Sequence, residues 1–278
     1  MFGKDVTNVF PDIESYIDYA YELRLDVIDL RSDRGFHEHG HSYLLETKLR
    51  CLEKGLAIGY LASGGHFVGT DGELAEKLET VCSDVQVAAR LGAPMVRVFC
   101  GERPQSREER AREIRCFRQA CDFAAEHGIA VGLQNHPSTG PDILDILAAT
   151  ERSNLSFLLD TGQWMGSPGR HQGVADPDHD IYAYMKQTAP YATHIRAKFY
   201  KVDSGTEEWL DYPRIVEILE SVNFNGTVGV VFEGRDINDC DDREVLRLAA
   251  AELRRLTDGP PVPGADHGGG GNGYQKGR

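Results

Sequence analysis

Seven short apolar or β-branched runs recur along the chain: LDVIDL (25–30), LAIGYL (56–61), PMVRVF (94–99), IAVGLQ (129–134), LSFLLD (155–160), ATHIRAKF (192–199) and TVGVVF (227–232). Most are too continuous for a sheet wetted on one face, so they predict parallel strands covered by helices. Between them, DIESYIDYAYELR (12–24), ELAEKLETVCSDVQVAARLG (73–92) and REERAREIRCFRQACDFAAEHG (107–128) carry apolar residues three and four apart. That spacing gives a helix one buried stripe. Gly92 and Gly128 close the last two, as helix C-termini favour, while Pro141 and Asp211-Tyr212-Pro213 open two more. Seven strands alternating with eight helices predict an α/β fold, the (β/α)8 TIM barrel, with a doubly wound open sheet as the alternative. A barrel needs one more strand within residues 1–10, where FGKDVTNVF is a poor, charged candidate. The first strand is therefore expected to be short or irregular, unless something else covers that edge.

The pattern stops at Gly259, where GPPVPGADHGGGGNGYQKGR is dominated by glycine and proline. Nothing in it can bury an apolar face, so residues 259–278 are expected to be a disordered tail and residues 1–258 a single domain. A length of 278 residues suits one α/β barrel. Lysine and arginine number 30 against 44 acidic residues, a formal charge of −14. Such a surface repels phosphate backbones, which argues against nucleic-acid binding while leaving room for a local cationic pocket. The absence of 18 consecutive apolar residues, and of a basic-then-apolar start, predicts a soluble cytoplasmic protein without membrane contact. Six cysteines show no CxxC pair and read as reduced thiols.

In such barrels the chemistry gathers at the C-terminal ends of the strands. The run at 25–30 is followed by RSDRGFHEHGH, with His37, Glu38, His39 and His41, and the run at 56–61 by SGGHFVG, with His66. The histidine cluster has a plain reading as solvated surface and a sharper one as a metal site. Arg97 is either a buried ion-pair partner or a substrate contact. Further ends carry Gln134-Asn135-His136, Asp160-Thr161-Gly162-Gln163-Trp164 and Phe232-Glu233-Gly234, while His194, Arg196 and Lys198 share one face of their strand by period two. Asp160 and Glu233 weigh most. An acid that terminates an apolar run is costly to bury unless it is paired or bound to a cation.

Four of these segments, GLQNHP, FLLDTGQW, THIRAKFY and VGVVFEG, resemble in order the strand ends of the xylose isomerase-like barrels, the sugar phosphate isomerase/epimerase superfamily. Relatives there include ketose 3-epimerases, inosose dehydratase and the large subunits of C-glycoside deglycosidases, and the resemblance runs from Ile13 to about Gly234. It implies a divalent metal held by glutamate, aspartate, histidine and glutamate, at the positions of Gln134, Asp160, Arg196 and Glu233. Two of the four depart. Gln134 offers only an amide oxygen, and Arg196 cannot ligate. Gln134, Asp160 and Glu233 remain as an oxygen site suited to manganese or magnesium. The other reading loses the metal and sets the Arg196 guanidinium between Asp160 and Glu233.

The chemistry implied is removal of a proton next to the carbonyl of a keto-sugar or related polyol, giving an enediolate held by a metal or by Arg/Lys. His136, Glu233 and Lys198 are the candidate catalytic groups; His66, Arg97, His194 and Arg196 are the candidate substrate contacts. An isomerase or epimerase is the first reading. Gln134 cannot serve as a second base, which opens the alternative of a lyase that eliminates from a 3-keto-glycoside or dehydrates. A non-catalytic sugar-binding subunit is the reading from another class. A homo-oligomer, or a small partner subunit completing the barrel edge, fits the weak first strand.

Overall fold

The structure is a computed structural model that describes residues 10–257 apart from 103 and 105. The first strand expected within residues 1–10 and the tail 259–278 lie outside the described residues, Phe10 excepted. Seven parallel strands form one sheet in strict chain order: β1 Val27–Arg31, β2 Ala57–His66, β3 Met95–Phe99, β4 Ala130–Gln134, β5 Leu155–Asp160, β6 Ala192–Phe199 and β7 Thr227–Phe232. The sheet curls into a nearly closed barrel, with β1 and β7 brought together across the remaining gap. The alternative of a doubly wound sheet fails here, because the strand order never reverses.

Eight helices alternate with the strands among the described residues: α1 Ile13–Glu22, α2 His41–Glu53, α3 Asp71–Leu91, α4 Arg107–Glu126, α5 Gly140–Thr150, α6 Ile181–Thr188, α7 Tyr212–Ser221 and α8 Asp242–Thr257. Local chemistry sets their ends. Thr70 and Glu73 form a capping box at α3, and Thr139 and Asp142 form another at α5. Gly92 closes α3 in the left-handed conformation, where a Cβ would be strained. Asp211 caps α7 by accepting from Arg214 N, and Pro213 follows in the first turn.

Period two divides each strand between two environments. Val96 and Val98, Val131 and Leu133, Phe157 and Leu159, and Ile195, Ala197 and Phe199 are buried in the large core beneath the helices. The other face turns inward, where Tyr60, Ala62, Met95 and Leu158 form a much smaller apolar cluster. The rest of that interior is polar: Asp29, Arg97, Gln134, Asp160, His194, Arg196 and Lys198 are each at most 2% exposed. One expected boundary moves. SGGH, read as a loop, continues β2, so His66 ends a strand and pairs in register with Phe99.

Candidate active site

Asn135 and Gln134 divide their tasks as an extended chain requires. Asn135 Oδ1 accepts from Asp160 N at 2.8 Å while its Nδ2 donates to Asp160 O at 2.9 Å, clamping the end of β4 to β5. Gln134 turns inward, and its Nε2 donates to Asp160 Oδ2 at 3.0 Å. His136, one step beyond the clamp, is half-buried. Its amide donates to Cys100 Sγ at 3.0 Å, and its ring lies 4.7 Å from that of Phe99.

Asp160 is the most heavily bonded group of the interior. Its Oδ1 accepts from Gly162 N at 3.0 Å. Its Oδ2 accepts from Gln134 and from Arg196 Nε, the latter at 3.0 Å, and lies 3.3 Å from Lys198 Nζ. The same ammonium is 3.0 Å from Glu233 Oε2. The expectation that Arg196 bridges the two acids is corrected. Lys198 bridges them, whereas Arg196 divides its guanidinium between Asp160 and the hydroxyl of Tyr60. Burial alone would lower the pKa of Arg196, but Tyr60 and Asp160 outweigh it and hold the guanidinium above its ordinary value. Burial likewise raises the Tyr60 hydroxyl.

Backbone contacts fix these heights. Lys198 N donates to Thr161 Oγ1 at 2.9 Å, and Glu233 N to Phe199 O at 2.9 Å, extending the ladder between β6 and β7 by one residue. Gly234 follows because no side chain fits there: a Cβ would fall 1.6 Å from Tyr200 O. Glu233 also accepts from Gln163 Nε2 at 3.0 Å, and Arg170 donates to Gln163 Oε1 at 3.4 Å. Its side chain keeps 18% of its surface exposed, so it faces the mouth.

The remaining candidates separate. Arg97 lies inward from β3, its Cζ 3.8 Å from the Phe99 ring centroid, and its Nε and Nη1 have no hydrogen-bond partner among the described residues. His66 is half-buried beside Phe99 and Gly101, and burial, reinforced by Lys77, lowers its pKa. His194 is not at the mouth. It sits lower on β6, with Nε2 3.1 Å from Asp29 Oδ2 and its ring 4.9 Å from Tyr60. There it borders a cavity shared with Ala57, Pro94 and Thr227 at the N-terminal ends of the strands. A substrate arriving at the other end does not meet it. His37, Glu38, His39 and His41 lie on the surface. Only His37 enters a group with metal-like spacing among the described residues, beside Asp12 and Glu14, and Asp12 is already engaged in capping α1. Tyr60 and the bond from Gln163 to Glu233 were not anticipated. The available signal for Tyr60 was an aromatic hydroxyl on a continuous apolar strand, since a buried tyrosine needs a polar partner.

The implied divalent metal does not fit these residues. Gln134 must face Asp160 with its NH2, because a carboxylate can only accept, and its oxygen is thereby turned away. Arg196 has no lone pair to offer. Asp160 is surrounded by donors, and the Lys198 ammonium lies between the two acids that a cation would draw together.

The profile of the xylose isomerase-like TIM barrels matches residues 17–256. A 3-dehydroshikimate dehydratase of Bacillus anthracis is 24% identical over 160 residues, 54% of this chain and 56% of that protein; the match thus spans about half of the curated relative. D-psicose 3-epimerase of Clostridium cellulolyticum H10 superposes with a TM-score of 0.70 at 14% identity, covering 88% of this chain and 92% of the other. A 3-keto-D-glucoside 4-epimerase of E. coli superposes at 0.68 and 16%, covering 91% and 98%. At such identities the likeness is one of fold.

Proposed function

The chain belongs to the xylose isomerase-like TIM barrels, a family of isomerases, epimerases and a dehydratase, and on that premise we propose an enzyme that enolises a keto-sugar or related polyol without a divalent metal. The observation that carries this reading is the Lys198 ammonium, 3.3 Å from Asp160 and 3.0 Å from Glu233. A fixed cation in a water-poor interior can stabilise a developing oxyanion because it needs no reorganisation as charge appears. His136 takes the proton next to the carbonyl, Lys198 faces the enediolate oxygen, and Glu233 at the mouth is the second proton carrier. The Asp160 carboxyl lies between Arg196 and Lys198 and balances their charge.

Elimination is the second reading, and Gln134 favours it. An amide engaged with Asp160 cannot accept a proton from the opposite face of the carbon, as two-base epimerisation through that position requires. One-base enolisation followed by loss of a leaving group needs only His136 or Glu233. The likeness to a 3-dehydroshikimate dehydratase points the same way.

The test is deuterium wash-in from D2O over a panel of ketoses, 3-keto-glycosides and their uronate counterparts, with and without EDTA, alongside elemental analysis of the protein. Exchange that EDTA leaves unchanged is the expected result. Exchange that vanishes with EDTA and returns with manganese would overturn the metal-free reading, and exchange with no compound would overturn enolisation.

A further inference from the structure

Each cation around the buried centre has its own carboxylate, with one exception. Arg196 has Asp160, Lys198 has Asp160 and Glu233, and Arg31 at the end of β1 has Asp33 at 2.7 Å. Arg97 has none among the described residues, although it is 1% exposed and one of the largest fully buried side chains. An arginine does not relieve this by losing its proton. Burial, reinforced by the like charge of Arg196, brings its pKa down to about 9, which leaves it charged at neutral pH. A buried charge without a counterion is expensive, and mutation removes such a cost unless function retains it.

The surroundings hold the group ready without satisfying it. The guanidinium carbon lies 3.8 Å from the Phe99 ring centroid, a cation–π contact that leaves Nε and Nη1 without a hydrogen-bond partner among the described residues. Met95 and Phe99 share its face of β3, so it projects into the barrel interior. The neighbouring strand offers the complement: Gln134 Oε1 is buried and also lacks a partner.

We propose that Arg97 receives a carboxylate carried by the substrate, so that the enzyme acts on acidic keto-polyols rather than on neutral sugars. This rests on the enolising reading above and names its substrate class. A planar guanidinium fork matches a planar carboxylate through two parallel N–H···O bonds, and Nε and Nη1, the two atoms left unpartnered among the described residues, lie on one edge of that fork and at its tip respectively. The incoming charge neutralises the guanidinium, and Gln134 Oε1 can accept a hydroxyl of the same molecule.

The experiment measures binding, not turnover, so its outcome is independent of whether enolisation is correct. Thermal unfolding is followed while sodium formate, acetate or phosphate replaces sodium chloride at constant ionic strength, in wild type, Arg97→Met and Arg97→Lys. Formate and acetate are expected to raise the wild-type melting temperature saturably. In Arg97→Met their affinity should fall by roughly tenfold or more, as loss of a charge-assisted bond predicts. The same variant, free of ligand, should melt above wild type, because it removes an uncompensated charge while keeping the volume. A guanidinium that merely holds the core together gives the opposite sign, and lower melting of Arg97→Met would overturn the proposal. So would a formate response that survives this variant, no response in wild type, or a response to phosphate alone. If Arg97→Met does not fold, Arg97→Lys decides through its formate response, which should weaken because an ammonium cannot pair bidentately; an unchanged response would overturn the proposal.

Discussion

Lys198 and Arg196 leave the same face of β6 two residues apart, yet only Lys198 meets both acids. Height explains it. Two residues of a strand span about 6.6 Å. Arg196 pairs in register with Asp160 and Gly229, while Lys198 stands a layer higher, near the level at which Glu233 leaves β7. Period two made the shared face legible in the sequence, but register is a property of the assembled sheet, so the bridging cation could be read only from the fold. The same holds for His194, which belongs to the layer of Asp29 and Tyr60. His136 and Asp160 were legible for a stronger reason: polar groups that end apolar runs must be delivered somewhere. Replacing His136 with alanine should lower deuterium exchange at the substrate carbon by about 10²-fold or more with the fold intact, by analogy with loss of a general base; circular dichroism and D2O wash-in check the two halves. Wild-type exchange in that variant would move the base to Glu233. The pair Gln134→Glu with Arg196→His rebuilds the glutamate, aspartate, histidine, glutamate set. Calorimetry should then find tighter manganese binding than in the wild type; equal affinity would show that Lys198 alone keeps the ion out.

Among the elements, the loop after β6 is governed by a buried acid. Glu207 accepts from Tyr200 N at 2.6 Å and Trp209 N at 3.0 Å, while its own amide donates to Glu252 Oε2 on α8 at 2.7 Å. Tyr200 stacks on Trp209 and donates its hydroxyl to Gly162 O at 3.0 Å, so this acid braces the wall beside Asp160. Burial pushes Glu207 up to about 7, although the backbone donors oppose it. Glu113 on α4 is also pushed up to about 7 by burial, against the pull of Arg110. A raised acid binds its proton more tightly when folded. Its contribution to stability is therefore full below the ordinary value of 4.5 and is lost as pH rises through about 7. The melting temperature should fall between about pH 4.5 and 7 and level off above, with each group contributing roughly 3 kcal/mol across that window. Glu207→Gln should remove about half of that slope; an unchanged slope would show that Glu207 does not titrate there. None of this was visible in the sequence, where Glu207 lies in an ordinary polar stretch. The strands were visible because their apolar runs needed no partner to be recognised, and five of the seven agree to within one residue at each end. β2 outran its apolar run because Gly64 and Gly65 carry the backbone on without a hydrophobic signal.

At the scale of the whole molecule, the bonded centre is assembled from β4 to β7, with Tyr60 and Arg97 added from β2 and β3. No helix among the described residues is long and apolar enough to cross a membrane. The proposed cation of this centre is a side chain, which gives the protein a property that a metal-dependent barrel lacks. A dissociable ion has an occupancy, set by supply, by competing ions and by dilution. Lys198 has none of these: it is synthesised with the chain, one for every molecule, and cannot be exchanged for a wrong element. Protein refolded from denaturant in EDTA should recover exchange activity in step with its native circular dichroism, with no lag and no further gain when manganese is added. Specific activity should likewise not depend on the metal content of the medium in which the cells were grown.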